Sequence, residues 1–416
     1  MAVEFKSGLI YDWNKASGPQ LRVSKRPLLN DETLRDGLQS PSVIAPSIGK
    51  KIELLYLMEA AGIDSLNLGL PGAGPRVKAD VLALAREISS ARMRIRANAA
   101  ARTVESDIRP IAEIADATGL EIEASTFIGS SPIRQYTENW TLDFLLRATE
   151  KAVKFARSLG LPVMYVTEDT TRARPEVIQK LYTTAIECGA RAVAVCDTVG
   201  HIMPRGVHAL VRFVCHDVVK PTGEKVRVDW HGHCDRGLAV ANSLMAYEAG
   251  ADQVHGAVLG IGERVGNTPL DQMLVNLKLM RAPGYDDRDL TRLKDYVLAV
   301  SQAVGLSIPP NYPVFGADAF RTATGVHAAA LIKAYHKDDP ELADQVYSGV
   351  PSHWFGLEQK IEIGPMSGKS NVVFWLERHA LDPTEERVER IFNRAKQADR
   401  LLTEDEILEA CGPQRG

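Results

Sequence analysis

The sequence predicts an α/β protein: a TIM (β/α)8 barrel carrying a C-terminal, mainly helical appendage. Three observations predict it. From about residue 27, short runs rich in β-branched residues alternate with amphipathic stretches. The alternation repeats eight times in roughly 250 residues, which is the number and size of such a barrel. Polar and charged residues gather at the ends of the predicted strands, where a barrel of this type carries its site. A doubly wound open sheet is the structural rival. No G-x-G-x-x-G turn follows the first strand, so its dinucleotide-binding form has no support.

The units follow in order. The opening run 27–41, "PLLNDETLRDGLQSP", begins apolar and becomes charged, as a strand that ends in a polar turn would. "IDSLNLGL" (63–70) precedes "ADVLALAREI" (79–88), where Val81, Leu84, Ala85 and Ile88 share one helical face. "RMRIRANA" (92–99) precedes "SDIRPIAEIADATG", and "LEIEASTFI" (120–128) precedes "TLDFLLRATEKAVKFARSLG". "LPVMYVTED" (161–169) leads to "PEVIQKLYTTAIECG", and "ARAVAVCDT" (190–198) to "GVHALVRFVCHDVV". "KVRVDWHGH" (225–233) leads to "LAVANSLMAYEAG". "ADQVHGAVL" (251–259) leads to "PLDQMLVNLKLM", with Leu270, Met273, Leu274 and Leu277 on one face. Beyond residue 283 the rhythm stops and helical segments follow. The expected organisation is an N-terminal extension over 1–26, a catalytic barrel over 27–282, and a helical region over 283–416.

Composition narrows the class. The chain has 416 residues, too many for one small core. Lys plus Arg number 49 against 53 for Asp plus Glu, and no segment is strongly basic, so no nucleic-acid partner is indicated. No apolar run reaches about 18 residues, so no membrane span is expected. The stretch "MAVEFKSGLIYDWNK" lacks a signal-peptide core, and the cysteines Cys188, Cys196, Cys215, Cys234 and Cys411 form no C-x-x-C pair. Reduced thiols in a cytoplasm are the economical reading.

The strand ends supply the chemistry. In an extended strand residues i and i+2 point to the same side, so His231 and His233 of "HGH" would project together. Two imidazoles and a carboxylate form a common divalent-metal set with open positions. Asp36 is the carboxylate candidate and Asn267 a possible fourth ligand; Mn, Zn, Co, Fe and Mg all suit such mixed ligation. Arg35, beside Asp36, is placed to stabilise a developing enolate or alkoxide. Glu168 and Thr198 end strands 5 and 6 and are placed to orient a substrate carboxylate or relay a proton. Thr198, before "VG" and a helix, has the alternative of a helix N-cap. Asp31 and Glu32 receive no role.

These motifs resemble the DRE-TIM metallolyases. "LRDGLQ" with Lys50 beyond it, "HGHCDRGLAVAN" and "GIGERVGN" carry the resemblance. "FIGSSPIRQY", "VTEDTTR", "CDTVGHIMP", "TGVH" and "GPMSGKS" extend it over about residues 28–370. Within that group the chain looks most like the isopropylmalate, homocitrate and citramalate synthases. The resemblance implies a divalent metal held by Asp36, His231 and His233, with Asn267 nearby. It implies a Claisen-type condensation of acetyl-CoA with a 2-oxo acid, followed by thioester hydrolysis. Arg35 and Gln39 would stand on the substrate side, Thr198 would hold the oxo-acid carboxylate, and Glu168 would support proton transfer. His327 matches a histidine delivered from a neighbouring subunit, with Tyr347 of the same kind, so a homodimer is expected.

The alternative within the superfamily is a lyase like 3-hydroxy-3-methylglutaryl-CoA lyase, or an aldolase, cleaving a C–C bond. It shares the "GLQ" of the first motif, but the loop after strand 8 here has no cysteine. A barrel that binds without turnover is the alternative outside enzymes. Several positions depart from the synthase pattern: Cys234 for Asn or Asp, Leu259 for Asn, Asn67 for Glu, and Arg134 where isopropylmalate synthases have His. In homocitrate synthases a similarly placed Arg meets the distal carboxylate of 2-oxoglutarate, so Arg134 points to a 2-oxo diacid; a surface salt bridge is its other reading. No α/β pattern follows residue 375, so no leucine-type regulatory domain is expected.

Overall fold

Why this chain closes into a barrel is visible in its strands. The computed structural model describes residues 9–15, 25–337 and 339–412; most of the expected N-terminal extension lies outside them. The strands are β1 (Leu28–Asp31), β2 (Ser65–Asn67), β3 (Arg96–Arg102), β4 (Ile122–Gly129), β5 (Val163–Glu168), β6 (Ala192–Asp197), β7 (Arg227–Gly232) and β8 (Gln253–Gly256). They pair in chain order, and β8 returns to β1, closing the barrel. Every pairing is parallel.

The connecting helices are α1 (Ile48–Ala61), α2 (Pro75–Ser90), α3 (Glu105–Thr118), α4 (Pro132–Glu138), α5 (Leu142–Ser158), α6 (Pro175–Glu187), α7 (Pro204–Phe213), α8 (Ala239–Ala249) and α9 (Leu270–Leu279). Ser47 caps α1 by accepting from the Lys50 N–H, and Thr141 caps α5 by accepting from the Phe144 N–H. Helix α2 buries Val81, Leu84, Ala85 and Ile88, and α9 buries Leu270, Met273, Leu274 and Leu277, the faces their periodicity predicts. One helix more than the simple repeat, α4, stands between β4 and α5 and carries Arg134.

The barrel interior is polar along β1–β3 and β7–β8, while Met164, Val166, Ala192, Ala194 and Cys196 of β5 and β6 form an apolar cluster. Asn30 Oδ1 accepts from Ser65 Oγ at 2.8 Å and from Asn98 Nδ2 at 2.6 Å, so side chains from β1, β2 and β3 meet inside. Register sets Asn30 beside His255, and His255 beside His231. The apolar residues that alternate with them, such as Leu29, Leu66, Trp230 and Val254, are buried as well. A strand with helices outside and polar partners inside is buried on both faces, which explains its nearly continuous burial.

The described chain forms two compact units. One comprises Tyr11–Arg288 and Asp295–Ser307, and includes most of α10 (Leu293–Val304). Within it, the Tyr296 hydroxyl of α10 donates to Asp31 Oδ2 at 2.6 Å. The other unit takes the chain from Ile308 onward with Asp289–Lys294. It contains the short parallel pair β9 (Arg321–Thr322) and β10 (Lys360–Ile361), with α11 (Gly325–Tyr335), α12 (Pro340–Gln345), α13 (Lys369–Arg378), α14 (Glu385–Gln397) and α15 (Glu404–Cys411). Its own core gathers Ile363, Val372, Leu376, Ile391 and Ile407. All five cysteines are free. No described helix is long and apolar enough to cross a membrane.

Candidate active site

The charged end of β1 is a tight turn. Asp31 Oδ1 accepts from the Thr33 N–H at 2.8 Å, and the Glu32 carbonyl accepts from the N–H groups of Arg35 at 3.0 Å and Gly37 at 2.9 Å. A 3-10 turn over Gly37–Gln39 follows. The turn puts Arg35 and Asp36 at the C-terminal mouth, and Gln39 is exposed.

Two strands round from β1, beyond β8, β7 ends at Gly232, and His233 forms a bridge with Asn267 of the loop after β8. Nε2 of His231 and Nε2 of His233 lie 3.3 Å apart. Asp36 Oδ2 is 3.4 Å from the first and 3.7 Å from the second. Gly262 makes the approach of the last loop possible. At its φ of +153° a Cβ would come within 2.3 Å of Asn267 Nδ2 and 3.3 Å of Asp36 Oδ1.

The donor set suits a divalent cation. Asp36, His231 and His233 offer one carboxylate oxygen and two imidazole nitrogens within 4.8 Å of one another, all buried. Asp36 Oδ1, His233 Nδ1 and Asn267 Oδ1 are buried and have no hydrogen-bond partner among the described residues. Burial pushes the Asp36 carboxyl up, but Arg35 and then the two histidines outweigh it and hold the carboxyl far below the usual range. Burial, and after it His231, push the His233 imidazole down to about 4, so at neutral pH it offers a lone pair. A second group, Glu32, His231 and His255, also lies close enough to share an ion. There the carboxylate is already engaged: Glu32 Oε2 accepts from Arg35 Nε at 2.8 Å and Oε1 from Asn30 Nδ2 at 2.7 Å. The unpartnered oxygens favour the Asp36 set.

The remaining candidates divide. Glu168, at the end of β5, lies 3.7 Å from Arg134 Nη2 through Oε2. Burial pushes its carboxyl up, and the Arg134 and Arg35 guanidinium groups pull it back, leaving a net rise. Thr198 caps no helix, since α7 begins after Met203. Its hydroxyl accepts from the Asp169 N–H at 2.8 Å, which leaves the O–H proton free to be donated. Arg264 binds this rim together, donating to the Thr198 carbonyl at 2.5 Å and to Asp235 Oδ1 at 2.8 Å. Asn67 is buried and its Oδ1 accepts from the Gly69 N–H at 3.2 Å.

Arg134 Nη1 is 3.2 Å from Glu138, and its Nε is buried with no partner among the described residues. A cavity of about 660 Å³ opens there, lined by Arg102, Phe127, Arg134, Trp140, Phe144 and Glu168 among others. His327 and Tyr347 belong to the other unit, where their rings pack at 4.3 Å between centroids and both are exposed.

Sequence reasoning passed over the charges beneath the mouth. His255 lies 3.5 Å from Glu32 through Nδ1 and 3.1 Å from Asp229 through Nε2. Arg227 reaches Asp229 at 2.8 Å and Glu123 at 2.7 Å. The signal was available: Asp229 with His231, and Gln253 with His255, are polar residues two apart in strands flanked by apolar ones.

A closed parallel barrel with a carboxylate, two imidazoles and an arginine at its C-terminal mouth defines a TIM-barrel protein whose mouth offers a donor set that could hold a divalent ion. The HMGL-like family model matches residues 26–297, and the chain belongs to that family. It is 32% identical over 373 residues to homocitrate synthase AksA of Methanopyrus kandleri, covering 89% of this chain and 87% of that protein. It is 33% identical over 378 residues to 2-isopropylmalate synthase of Pyrococcus abyssi, covering 89% of this chain and 74% of that protein. A hydroxymethylglutaryl-CoA lyase from Pseudomonas aeruginosa has the same fold, with a TM-score of 0.55 at 21% identity over 67% of this chain and 92% of that chain.

Proposed function

We propose that this chain is a metal-dependent acyltransferase that condenses acetyl-CoA, or a related acyl-CoA, with a 2-oxo acid. The products are a 2-hydroxy-2-alkyl diacid of the isopropylmalate, homocitrate or citramalate type and free CoA. The meeting of Arg35 with the Asp36–His231–His233 set carries the reading, in a chain about as similar to homocitrate synthase as to 2-isopropylmalate synthase.

Asp36, His231 and His233, with Asn267 beside them, would hold a divalent cation of the Mg, Mn, Zn or Co kind. Bound there, it supplies Lewis-acid polarisation of a carbonyl oxygen. The side chains of the protein divide the rest. The Thr198 hydroxyl donates to the oxo-acid carboxylate. Glu168, with its raised pKa, takes the proton from the acyl methyl group. The Arg35 guanidinium donates to the oxygen on which negative charge collects, as the methyl carbon attacks the carbonyl carbon. His327, with Tyr347, supplies a proton from a neighbouring copy in a homodimer. Water then cleaves the thioester and CoA leaves as the thiol.

With a 2-oxo diacid as the substrate, Arg134 would bind the distal carboxylate. Its unpartnered Nε and the cavity beside it support that role. The free cysteines support a reducing, cytoplasmic setting. Mass spectrometry of the product formed from isotope-labelled acetyl-CoA and a panel of 2-oxo acids tests the reading. A labelled hydroxy diacid supports it, and cleavage of a hydroxyacyl-CoA thioester instead assigns the lyase reaction.

A further inference from the structure

The least expected charge in the site is Glu32. It is the residue after β1 and is 1% exposed. Its two oxygens have separate partners. Oε2 accepts from Nε of Arg35 at 2.8 Å and faces Nη2 at 2.6 Å. Oε1 accepts from Asn30 Nδ2 at 2.7 Å and lies 3.5 Å from Nδ1 of His255. His255 is itself fixed from behind by Asp229, and Asp229 by Arg227. Asn30 is fixed by Ser65 and Asn98. The Glu32 carboxylate is therefore tied to strands β1, β2, β3, β7 and β8 through short polar links.

We propose that Glu32 is the positioning residue for Arg35. It takes two of the three guanidinium nitrogens along one edge, which fixes the plane of the fork and leaves Nη1 at the mouth, 3.2 Å from Asp36 Oδ2. An arginine side chain has several rotatable bonds, and a preorganised donor costs no reorganisation when charge develops. Stability alone is a weak reason for such a group, because a buried ion pair is often no more stabilising than apolar residues of the same volume. The proposal rests on the reading above, in which Arg35 meets the substrate oxygen.

Glutamine has the shape of glutamate but cannot serve both edges. With its oxygen toward Arg35, its NH2 faces the Asn30 NH2; turned over, its NH2 faces the guanidinium. Glu32→Gln should lower kcat by about 100-fold, the size of a lost transition-state donor, with KM for the 2-oxo acid changed less than about threefold. Adding Glu32→Gln to Arg35→Lys should cost little more, because the fork that Glu32 orients is already gone. A crystal structure of Glu32→Gln should show Arg35 Nη1 displaced from Asp36. That readout needs no turnover, so it tests Glu32 even if the wild-type protein condenses none of the substrates. Glu32→Asp keeps the charge but retracts it by one methylene, and should fold and lose kcat in the same way. Unchanged kcat in either variant, full multiplication of the two single effects, or an Arg35 side chain left in place would overturn the proposal.

Discussion

Asp36, on the turn after the first strand, and His231, near the end of the seventh, bring Oδ2 and Nε2 to 3.4 Å at the barrel mouth. The second oxygen of Asp36 is buried and has no partner among the described residues. A pair brought together from opposite ends of the barrel sequence, with lone pairs to spare, is what a shared cation would organise.

The first prediction follows from that pair. Asp36→Ala and His231→Ala should each weaken Mn²⁺ binding, measured by calorimetry, by at least about 100-fold, the upper end of what losing an outer-shell partner costs. Turnover should vanish while the far-UV circular dichroism stays that of the wild type. Full activity in either variant would remove the residue from the ligand set.

A second prediction concerns Arg134. Its guanidinium faces Glu138 and Glu168 but has an unpartnered Nε beside the cavity. Arg134→Ala should reduce kcat/KM for a 2-oxo diacid by roughly 30-fold, as for a charge-assisted bond of about 2 kcal/mol, and barely affect a 2-oxo monoacid. Equal losses on the two substrates would leave Arg134 with only its salt-bridge role.

How much of this was legible beforehand depends on the kind of signal. The eight-strand rhythm and the helical faces of α2 and α9 follow from periodicity and could be read directly. The pairing of His231 with His233 could be read too, because strand alternation is local. The Glu32–His255–Asp229 chain was not read, because it depends on register between strands distant in sequence. The same limit hid the contact of the Thr198 hydroxyl with the Asp169 N–H, a link between two strand ends. The helix α4, which carries Arg134, broke the simple repeat and was visible only as a motif.

Acid–base behaviour gives a third prediction, away from the ligands. Burial raises the Asp31 carboxyl from 3.8 to about 6, with the Thr33 and Tyr296 hydrogen bonds opposing it. Between those values the folded protein holds a proton that the unfolded chain has lost. The contribution of Asp31 is therefore full below pH 3.8 and is lost as pH rises through about 6. Asn can still accept from the Thr33 N–H and can donate its NH2 to the Tyr296 oxygen, without the buried charge. The melting temperature of Asp31→Asn relative to wild type should rise between pH 4 and pH 7.5, by an amount on the order of 3 kcal/mol in stability. A difference that stays flat over this range would contradict the shift.

A fourth prediction addresses the exposed His327–Tyr347 pair. Arg35→Ala and His327→Ala should each be inactive alone, losing about 100-fold or more. Mixed under conditions that exchange subunits, they should regain part of the wild-type rate, because one active site of the mixed dimer is intact. A mixture that stays inactive after proven exchange, or an active monomer, would end the proposal of donation from a neighbouring copy.

The central claim is the condensation itself. Free CoA, followed with a thiol reagent, should appear only when acetyl-CoA, a suitable 2-oxo acid and a divalent cation are all present, and chelation should stop it. Release that ignores the 2-oxo acid, or none with any 2-oxo acid tried while hydroxyacyl-CoA thioesters are cleaved, would contradict it.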